Sequence, residues 1–572
     1  MPGFLAGLAA GRTRWDLLER FPRSTPDERA AGDAAAAAAA AHIDATVDPE
    51  DLDRDRRLPD GFLAGLQERG LLRLCVEADL GGLGLTSYEA FRTLTRAARG
   101  SVTAGQVMAI QAGVGATALL PALPEGPLRD HVRKRIAEGV VSGFGDTDRT
   151  GQNNTWPALT GTPTEDGAAY VLRGEKLFIG NGPVADLLPV SVTLLDPDRR
   201  RLAIAYLDTS DPAFEVDSRI EFMGSRGLPN GSLAFHGLRV ERERILVEGD
   251  GDRLPAAVAF LALTGRLHFT GAPALAIAEN CAEWSRSFVR RREVDGRPLG
   301  TYDQVRRIVA LTLAEVFAMD AVARLSLIGA GLVDRWPEQL LAKNILVRAA
   351  GRVVDRTVGL LGAEGFETVA SKRARGAEEL PVERAYRDAR GLRIAGNVDF
   401  RLDHQAARLL LDALDDDGAD HTDDRPDDTD DRPEDHGRGA GALALSPANR
   451  DHAAEVDRLT AELRALCRGL LRRHPDRDAL YERQETTALV ARAASELLSC
   501  TAALAWASHL TGQDADEGPA AWGGDPQDLA DIHCTEALHR AAGHFRRLAA
   551  GDTAEPDHAK VSHAWLTGAT RV

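Results

Sequence analysis

Two stretches of the sequence carry residue types that suit phosphate chemistry. In residues 358–366, VGLLGAEGF, Gly362 and Ala363 end an apolar run and leave a backbone that a phosphate group can approach closely. Residues 290–292 are three arginines, and the planar fork of a guanidinium donates two hydrogen bonds to a pyrophosphate. Each pattern has a plainer interpretation, because glycine often ends a helix and a basic run is often a solvated helix face. The spacing alone leaves both interpretations open.

The spacing of apolar residues divides the chain into three regions, and their helices and strands must position these two stretches. Apolar residues at helical spacing predict helices on both sides of a central region of short alternating runs, such as RLAIAYLDTS. The imperfect repeat TDDRPDD and TDDRPED predicts a disordered acidic linker, because it cannot bury enough apolar surface to order itself. The predicted divisions are an N-terminal arm at 1–30, a helical domain at 31–140, a β-domain at 141–245, a helical bundle at 254–414, the linker at 415–445 and an extra helical domain at 446–572.

Composition limits the class of protein. A chain of 572 residues with 44% hydrophobic and 27% charged residues is typical of a soluble protein with several domains. Its net charge of −18 argues against a nucleic-acid partner, and its five widely spaced cysteines suggest reduced thiols and no metal site. The amino terminus lacks the pattern of a signal peptide, and the alanine run 34–41, with Asp33 as a cap, predicts a helix too short to span a bilayer. We expect a cytoplasmic protein without a membrane span.

Several motifs in this order resemble the acyl-CoA dehydrogenase family. Residues 174–182, GEKLFIGNG, are similar to that family's Gly-x-Lys-x-Trp-Ile-Thr-Asn-Gly segment, and residues 223–232 are similar to its Leu-Gly-x-Arg-Gly-Ser-x-Thr turn. The glycine turn at 362–365 comes at the place of the family's carboxyl-terminal signature. The resemblance implies a mainly α fold with an N-terminal helical domain, a β-barrel-like middle domain and a C-terminal four-helix bundle. The extra C-terminal helices resemble those of the very-long-chain branch, which implies a homodimer.

The same resemblance implies FAD as the cofactor. Standing alone, the segment 174–182 would favour a β-turn between two strands with Phe178 as a core residue. In the family, residues at the matching positions contact the isoalloxazine ring, or reach the phosphates and the adenine side across the dimer. The residues implied for the ring are Thr147, Phe178 and Gly180, and those implied for the phosphate and adenine side are Arg292, Gln304, Gly362 and Ala363.

The family's catalytic base is missing from both positions where relatives carry it. The Glu-Gly-Thr context reads Ala395-Gly396-Asn397 here, and the alternative position, before an arginine, is Gly265 followed by Arg266. A thioester α-proton does not leave unaided at neutral pH, and a positioned base contributes about 10²–10⁴-fold. Arg266 fits the family pattern as a substrate-side residue. The candidates for a relocated base are His268, Asp399 and Glu364, each of which is also consistent with a surface or core role.

Three functional hypotheses follow from the resemblance. The first is an FAD-dependent oxidoreductase that desaturates an acyl thioester, carried by CoA or a carrier protein, with a non-standard base and an electron-transfer partner. The second is a flavin-dependent monooxygenase or oxidase that takes reduced flavin from a reductase and needs no such base. The third is an inactive paralogue that serves as a partner subunit. The retained motifs on the flavin side favour the first hypothesis.

Overall fold

The structure is a computed structural model of the chain. It describes residues 3–19, 21–152, 154–255, 265–328, 336–419, 440–511, 523–551 and 558–567.

The first domain is a helical layer whose helix starts are set by side-chain caps. Thr25 and Glu28 form a capping box at the first long helix, so the predicted start at Asp33 is wrong and the helix begins at Pro26. Thr86 accepts a hydrogen bond from the backbone of Glu89 and caps the helix that follows the glycine-rich turn. The helices are Pro26–Thr46, Pro49–Asp55, Phe62–Glu68, Ser87–Gly100, Val102–Gly113, Ala116–Leu119 and Pro127–Glu138.

The middle domain is a seven-stranded sheet built from the alternating runs. The strands are β1 (Thr160–Pro163), β2 (Ala169–Gly180), β3 (Leu187–Leu195), β4 (Arg200–Asp208), β5 (Phe214–Arg219), β6 (Asn230–Glu241) and β7 (Ile245–Leu246). Their order is β5-β6-β2-β1-β3-β4-β7, and only the β1–β3 pair is parallel. Buried aliphatic and aromatic side chains from β2, β3, β4 and β6 fill the core of this domain.

A bundle of long helices follows the sheet. Its four main helices are Ala272–Arg291, Asp303–Leu327, Trp336–Leu361 and Asp399–Ala419. A π-helical turn at Leu267–Gly271 leads into the first of them. Shorter helices at Ala363–Phe366, Val369–Ala374 and Val382–Leu392 connect the third to the fourth. The arrangement confirms the predicted fold class, mainly α with a central β-domain and a C-terminal four-helix bundle.

Further helices pack on the bundle at the carboxyl end of the chain. They are Pro447–Arg473, Arg477–Tyr481, Gln484–Thr511, Pro526–Ala550 and His558–Leu566. The predicted linker at 415–445 starts too early, since the helix Asp399–Ala419 continues through its first residues. Residues 420–439 of the predicted linker lie outside the described residues.

The N-terminal arm packs against both the bundle and the extra helices. The backbone N–H of Leu5 donates to Glu338 at 3.0 Å, and Trp15 Nε1 donates to Asp457 at 2.8 Å. Because Glu338 belongs to the bundle and Asp457 to the extra helices, the arm joins these two parts.

Two described segments are long and apolar enough to cross a membrane by length and composition alone. They are Val102–Ala122 and Gln484–Thr511, and 78% and 89% of their most apolar windows are buried inside the protein. Such burial is what core helices show.

Candidate functional site

Strand β2 contains a bulge that presents an aromatic ring at the surface. The register of β2 against β6 shifts between Lys176 and Ile179, which leaves one extra residue in β2. Phe178 lies in this bulge with a φ of 61°, a left-handed conformation that is unfavourable for a bulky side chain. Its side chain is 52% exposed and stacks on Phe222, with ring centroids 6.3 Å apart. Strain of this kind is typical of positions that receive a ligand.

The segment 145–147 lies between β2 and β3, beside this bulge. The backbone N–H of Leu177 donates to the carbonyl of Thr147 at 2.8 Å, and further backbone hydrogen bonds join Gly145 to β3. Thr147 is therefore held next to Phe178. The structure brings together two of the residues that the sequence predicts at the flavin ring.

A buried lysine anchors the same segment. Lys176 Nζ donates to the Asp146 carbonyl at 2.9 Å and to Ser191 Oγ at 3.0 Å. The Asp146 carboxylate accepts from Ser191 Oγ at 2.8 Å and from Gln152 Nε2 at 3.1 Å. Burial lowers the pKa of Lys176 to about 8, although nearby carboxylates oppose this shift. This network holds the Asp146 side chain in place below the segment that carries Thr147.

Gly180 lies at the end of β2, where two other segments approach closely. A Cβ added at Gly180 would lie 2.7 Å from Cδ1 of Ile110 in the helix Val102–Gly113. A Cβ added at Gly143 would lie 2.2 Å from the carbonyl oxygen of Gly180. The end of the Ile110 side chain thus lies where the side chain of a threonine at position 180 would begin. A glycine at position 180 fits beside Ile110, whereas a threonine would require Ile110 to move.

We expect Gly180→Thr to destabilise the protein by about 1–3 kcal/mol, because the added side chain meets Ile110. Ile110→Val removes the Cδ1 atom and alone costs about 0.5–1.5 kcal/mol. Combining the two changes should cost less than the sum of the separate costs, measured as midpoints of chemical unfolding in a double-mutant cycle. Strict additivity would show that Ile110 does not exclude the threonine.

The two helical domains meet at a contact between two glycines. A Cβ added at Gly265 would lie 1.6 Å from the carbonyl oxygen of Gly113. No side chain fits at position 265 while the helix Val102–Gly113 keeps its place. The fold therefore leaves no room for a glutamate side chain at position 265, one of the two positions where the sequence comparison expects the base.

The next residue, Arg266, is buried in part and lacks a full set of partners. Its Nη1 nitrogen is buried, and no described residue accepts a hydrogen bond from it. Burial lowers the pKa of Arg266 to about 10, which the Asp146 carboxylate opposes and Arg401 reinforces. The guanidinium therefore stays protonated at neutral pH.

The second usual position of the base lies in a turn beside Arg266. Gly396 and Asn397 have φ values of 64° and 80°, so the chain makes a left-handed turn after Ala395. A Cβ added at Gly396 would lie 3.0 Å from Cγ of Arg266. Lys343 Nζ donates to the Asn397 carbonyl at 3.1 Å, and burial lowers the pKa of Lys343 to about 7. Ala395 is thus flanked by two basic groups.

His268 is held in the helical core. It is 7% exposed, and its Nε2 donates to the carbonyl of Ser87 at 2.8 Å. Burial lowers its pKa, which favours the neutral ring. These contacts give His268 a structural role in joining the π-helical turn to the helix Ser87–Gly100.

Asp399 and Glu364 are both engaged in ion pairs. Asp399 pairs with Arg348 at 3.2 Å and with Arg393 at 2.7 Å, and the pKa of Asp399 is lowered because these guanidinium charges outweigh its burial. Glu364 pairs with Arg291 at the surface of the bundle. All three candidates therefore have other partners in this structure, His268 in the helical core and the two carboxylates in ion pairs.

The residues that the sequence predicts near the phosphates and adenine lie on the surface of the chain. Arg292 and Gln304 are exposed at the end of one bundle helix and the start of the next. Gly362 and Ala363 are also exposed, and Gly362 has a φ of 60° with no atom within 4 Å of an added Cβ. Their exposure leaves them available to a second subunit, as the resemblance implies.

The residues present fit the ring end of FAD. Phe178 offers an exposed aromatic face, and Thr147 lies beside it. Such an arrangement suits a planar polar ligand. Thr147 and Phe178 would hold the ring from the β-domain side.

Sequence reasoning missed several residues that shape this site. Asn181 is fully buried, and its side-chain amide donates to the Val107 carbonyl at 3.0 Å and to the Ser142 carbonyl at 3.2 Å. It joins the β-domain to the helix that carries Ile110. The Asn-Gly pair after the aromatic gave a signal for a turn, but nothing in the sequence pointed to Lys343 or Ile110.

Comparisons with known proteins agree with this architecture. The model described as "Acyl-CoA dehydrogenase, N-terminal domain" matches residues 25–123, and "Acyl-CoA dehydrogenase, C-terminal domain" matches residues 262–410. The probable acyl-CoA dehydrogenase FadE10 of Mycobacterium tuberculosis is 31% identical over 400 residues, which is 69% of this chain and 61% of that protein. The 3-sulfinopropanoyl-CoA desulfinase of Advenella mimigardefordensis is 25% identical over 63% of this chain and 88% of its own length.

A solved structure shows the same fold along almost the whole chain. The acyl-CoA dehydrogenase from Bacillus anthracis, solved as a complex with FAD, superposes with a TM-score of 0.74 at 16% identity and covers 99% of this chain and 95% of its own. That match includes the extra C-terminal helices. This likeness shows the shared fold, and the two domain matches place an acyl-CoA dehydrogenase N-terminal domain and C-terminal domain in this chain.

Proposed function

We propose that the protein is an FAD-dependent oxidoreductase that acts on an acyl thioester, carried by CoA or by a carrier protein. The observation that carries this proposal is the Phe178 bulge, which holds an exposed aromatic ring next to Thr147 at the place where the family motif predicts the flavin. The two domain matches support the flavin and the thioester. When bound, FAD supplies the acceptor for a hydride from the acyl chain.

The reaction we propose is α,β-desaturation or a variant of it without the usual carboxylate base. Gly265 has no room for a side chain, and Ala395 has no titratable group. His268, Asp399 and Glu364 are each held by other partners. The relative named 3-sulfinopropanoyl-CoA desulfinase shows that reactions other than dehydrogenation occur among proteins similar to this chain.

We also propose a homodimer in the cytoplasm, with the phosphate end of FAD shared between subunits. Support comes from the exposure of Arg292, Gln304, Gly362 and Ala363 on the bundle surface. An electron-transfer protein would then reoxidise the flavin.

The test is a visible spectrum of the purified protein, followed by anaerobic titration with acyl-CoA thioesters that differ in chain length, branching and charge. We expect about one flavin per chain and bleaching of its absorbance by at least one thioester. Bound flavin that no thioester bleaches, together with oxygen consumption driven by a reductase, would favour the monooxygenase hypothesis. Protein without flavin would favour the inactive partner subunit.

Two variants test the predicted flavin site by their effect on FAD binding, one at Phe178 and one at an exposed control position. Phe178→Ala should weaken FAD binding by about 2- to 12-fold, the equivalent of the 0.5–1.5 kcal/mol typical of aromatic pairs. Trp565→Ala removes an aromatic side chain that is 67% exposed on the helix His558–Leu566, outside every segment assigned to FAD, and should leave FAD binding nearly unchanged.

A further inference from the structure

The turn that lacks the base is surrounded by positive charge. Arg266 packs its side chain against Gly396, and the Lys343 ammonium donates to the next carbonyl along the turn. Burial lowers the pKa of Lys343, the Asp399 carboxylate opposes this shift, and the Arg266 charge adds to it. The place where relatives carry a carboxylate is therefore flanked by a permanent cation and a buried amine.

The described carboxylates around this turn do not satisfy Arg266. Asp146 accepts hydrogen bonds from Ser191 and Gln152, and it acts on Arg266 only through its charge. Asp399 pairs with Arg348 and Arg393. The buried Nη1 atom of Arg266 is left with no described acceptor.

An unsatisfied buried N–H of a guanidinium is costly, because the nitrogen has lost water and gained no acceptor. Proteins accept such a cost at sites where a ligand supplies the missing partner. The group that completes Arg266 must be an acceptor, and a planar carboxylate or a similar oxyanion matches a guanidinium best. Such a group would also offset the charge of Lys343.

We propose that the preferred substrate is an acyl thioester whose acyl chain carries a second acidic group, held by Arg266 beside the turn at Ala395 and Gly396. This inference rests on the proposed function, because it assumes that an acyl thioester enters this site. The glutamate of relatives reaches the reacting α-carbon, so an anion beside this turn belongs near that end of the acyl chain. A 3-carboxypropanoyl group has this form.

The test compares two thioesters of nearly equal shape. Succinyl-CoA ends in a carboxylate, and 4-methylpentanoyl-CoA replaces its two oxygens by two methyl groups. Each is titrated by anaerobic isothermal calorimetry into FAD-saturated protein that has been reduced with dithionite. The reduced flavin cannot accept a hydride, so binding is read without turnover and the CoA contribution cancels in the ratio. We expect succinyl-CoA to bind about 10- to 100-fold more tightly, as for a hydrogen bond to a charged group.

Variants of Arg266 identify the source of this preference. Arg266→Gln should remove the preference by weakening the binding of succinyl-CoA, and Arg266→Lys should keep part of it. Arg199→Gln removes an arginine from the exposed pair with Asp250 and should keep the full preference. FAD content and circular dichroism establish that each variant is folded.

The outcomes separate the two proposals. Equal affinities for the two thioesters, or a preference that survives Arg266→Gln, would overturn the inference while the proposed function stands. Failure of every thioester to bind the FAD-saturated protein would overturn the proposed function and this inference with it.

Discussion

Ala395→Glu is expected to raise the rate at which a neutral acyl-CoA bleaches the flavin by about 10²–10⁴-fold, the usual contribution of a positioned general base. The turn after Ala395 keeps the left-handed glycine of the family pattern, so a longer side chain at this position can project as it does in relatives. Arg266 beside the turn would keep the new carboxylate ionised and oriented. The measurement is single-turnover absorbance under anaerobic conditions with butyryl-CoA.

Gly265→Glu is the matched control, because it places the same residue at the other family position. Its Cβ would lie 1.6 Å from the Gly113 carbonyl oxygen, so we expect a loss of soluble folded protein and no gain in rate. An Ala395→Glu protein that folds, binds FAD and shows no faster bleaching would contradict the idea that the missing base limits desaturation. The same variant should also lose any preference for succinyl-CoA, because its own carboxylate would occupy Arg266.

Asp403→Ala is expected to destabilise the protein by about 3–5 kcal/mol, as is typical when one partner of a buried ion pair is removed. Asp403 is fully buried and accepts from Arg348 at 2.7 Å, from Arg492 at 3.1 Å and from Asn344 at 2.8 Å. Arg348 belongs to the bundle and Arg492 to the extra helices, so this carboxylate joins the two parts. The variant should lower the midpoint of thermal unfolding and increase proteolysis of the carboxyl-terminal helices.

Asp415→Ala provides the comparison from the same helix. Asp415 also reaches the extra helices, through two hydrogen bonds to Arg477 of 2.6 and 2.9 Å, but its side chain is 50% exposed. An exposed pair of this kind contributes about 0–1 kcal/mol. If both variants had the same small effect, the extra helices would be held by apolar packing alone.

The sequence by itself determined the fold class and the location of the flavin motif. Alternation in runs such as RLAIAYLDTS predicts strands because side chains alternate between the two faces of a sheet, and the structure has strand β4 there. The sequence GGLGLTS at residues 81–87 predicts a helix break followed by a cap at Thr86 or Ser87, and the structure has Thr86 as the cap. These features depend on neighbours along the chain, which a sequence shows directly. The absence of a base at Ala395 and Gly265 is likewise a matter of residue identity.

Only the tertiary structure decided what surrounds those residues. From the sequence, Gly265 is interpreted as a position where the catalytic base has been replaced. Its contact with Gly113 shows that no larger side chain fits there. Asp399 reads as a candidate base, whereas two arginines hold it. Arg266 reads as an ordinary family arginine, and its unsatisfied nitrogen depends on which side chains reach it from distant segments. These contacts join segments that are far apart in the sequence, so local patterns along the chain cannot predict them.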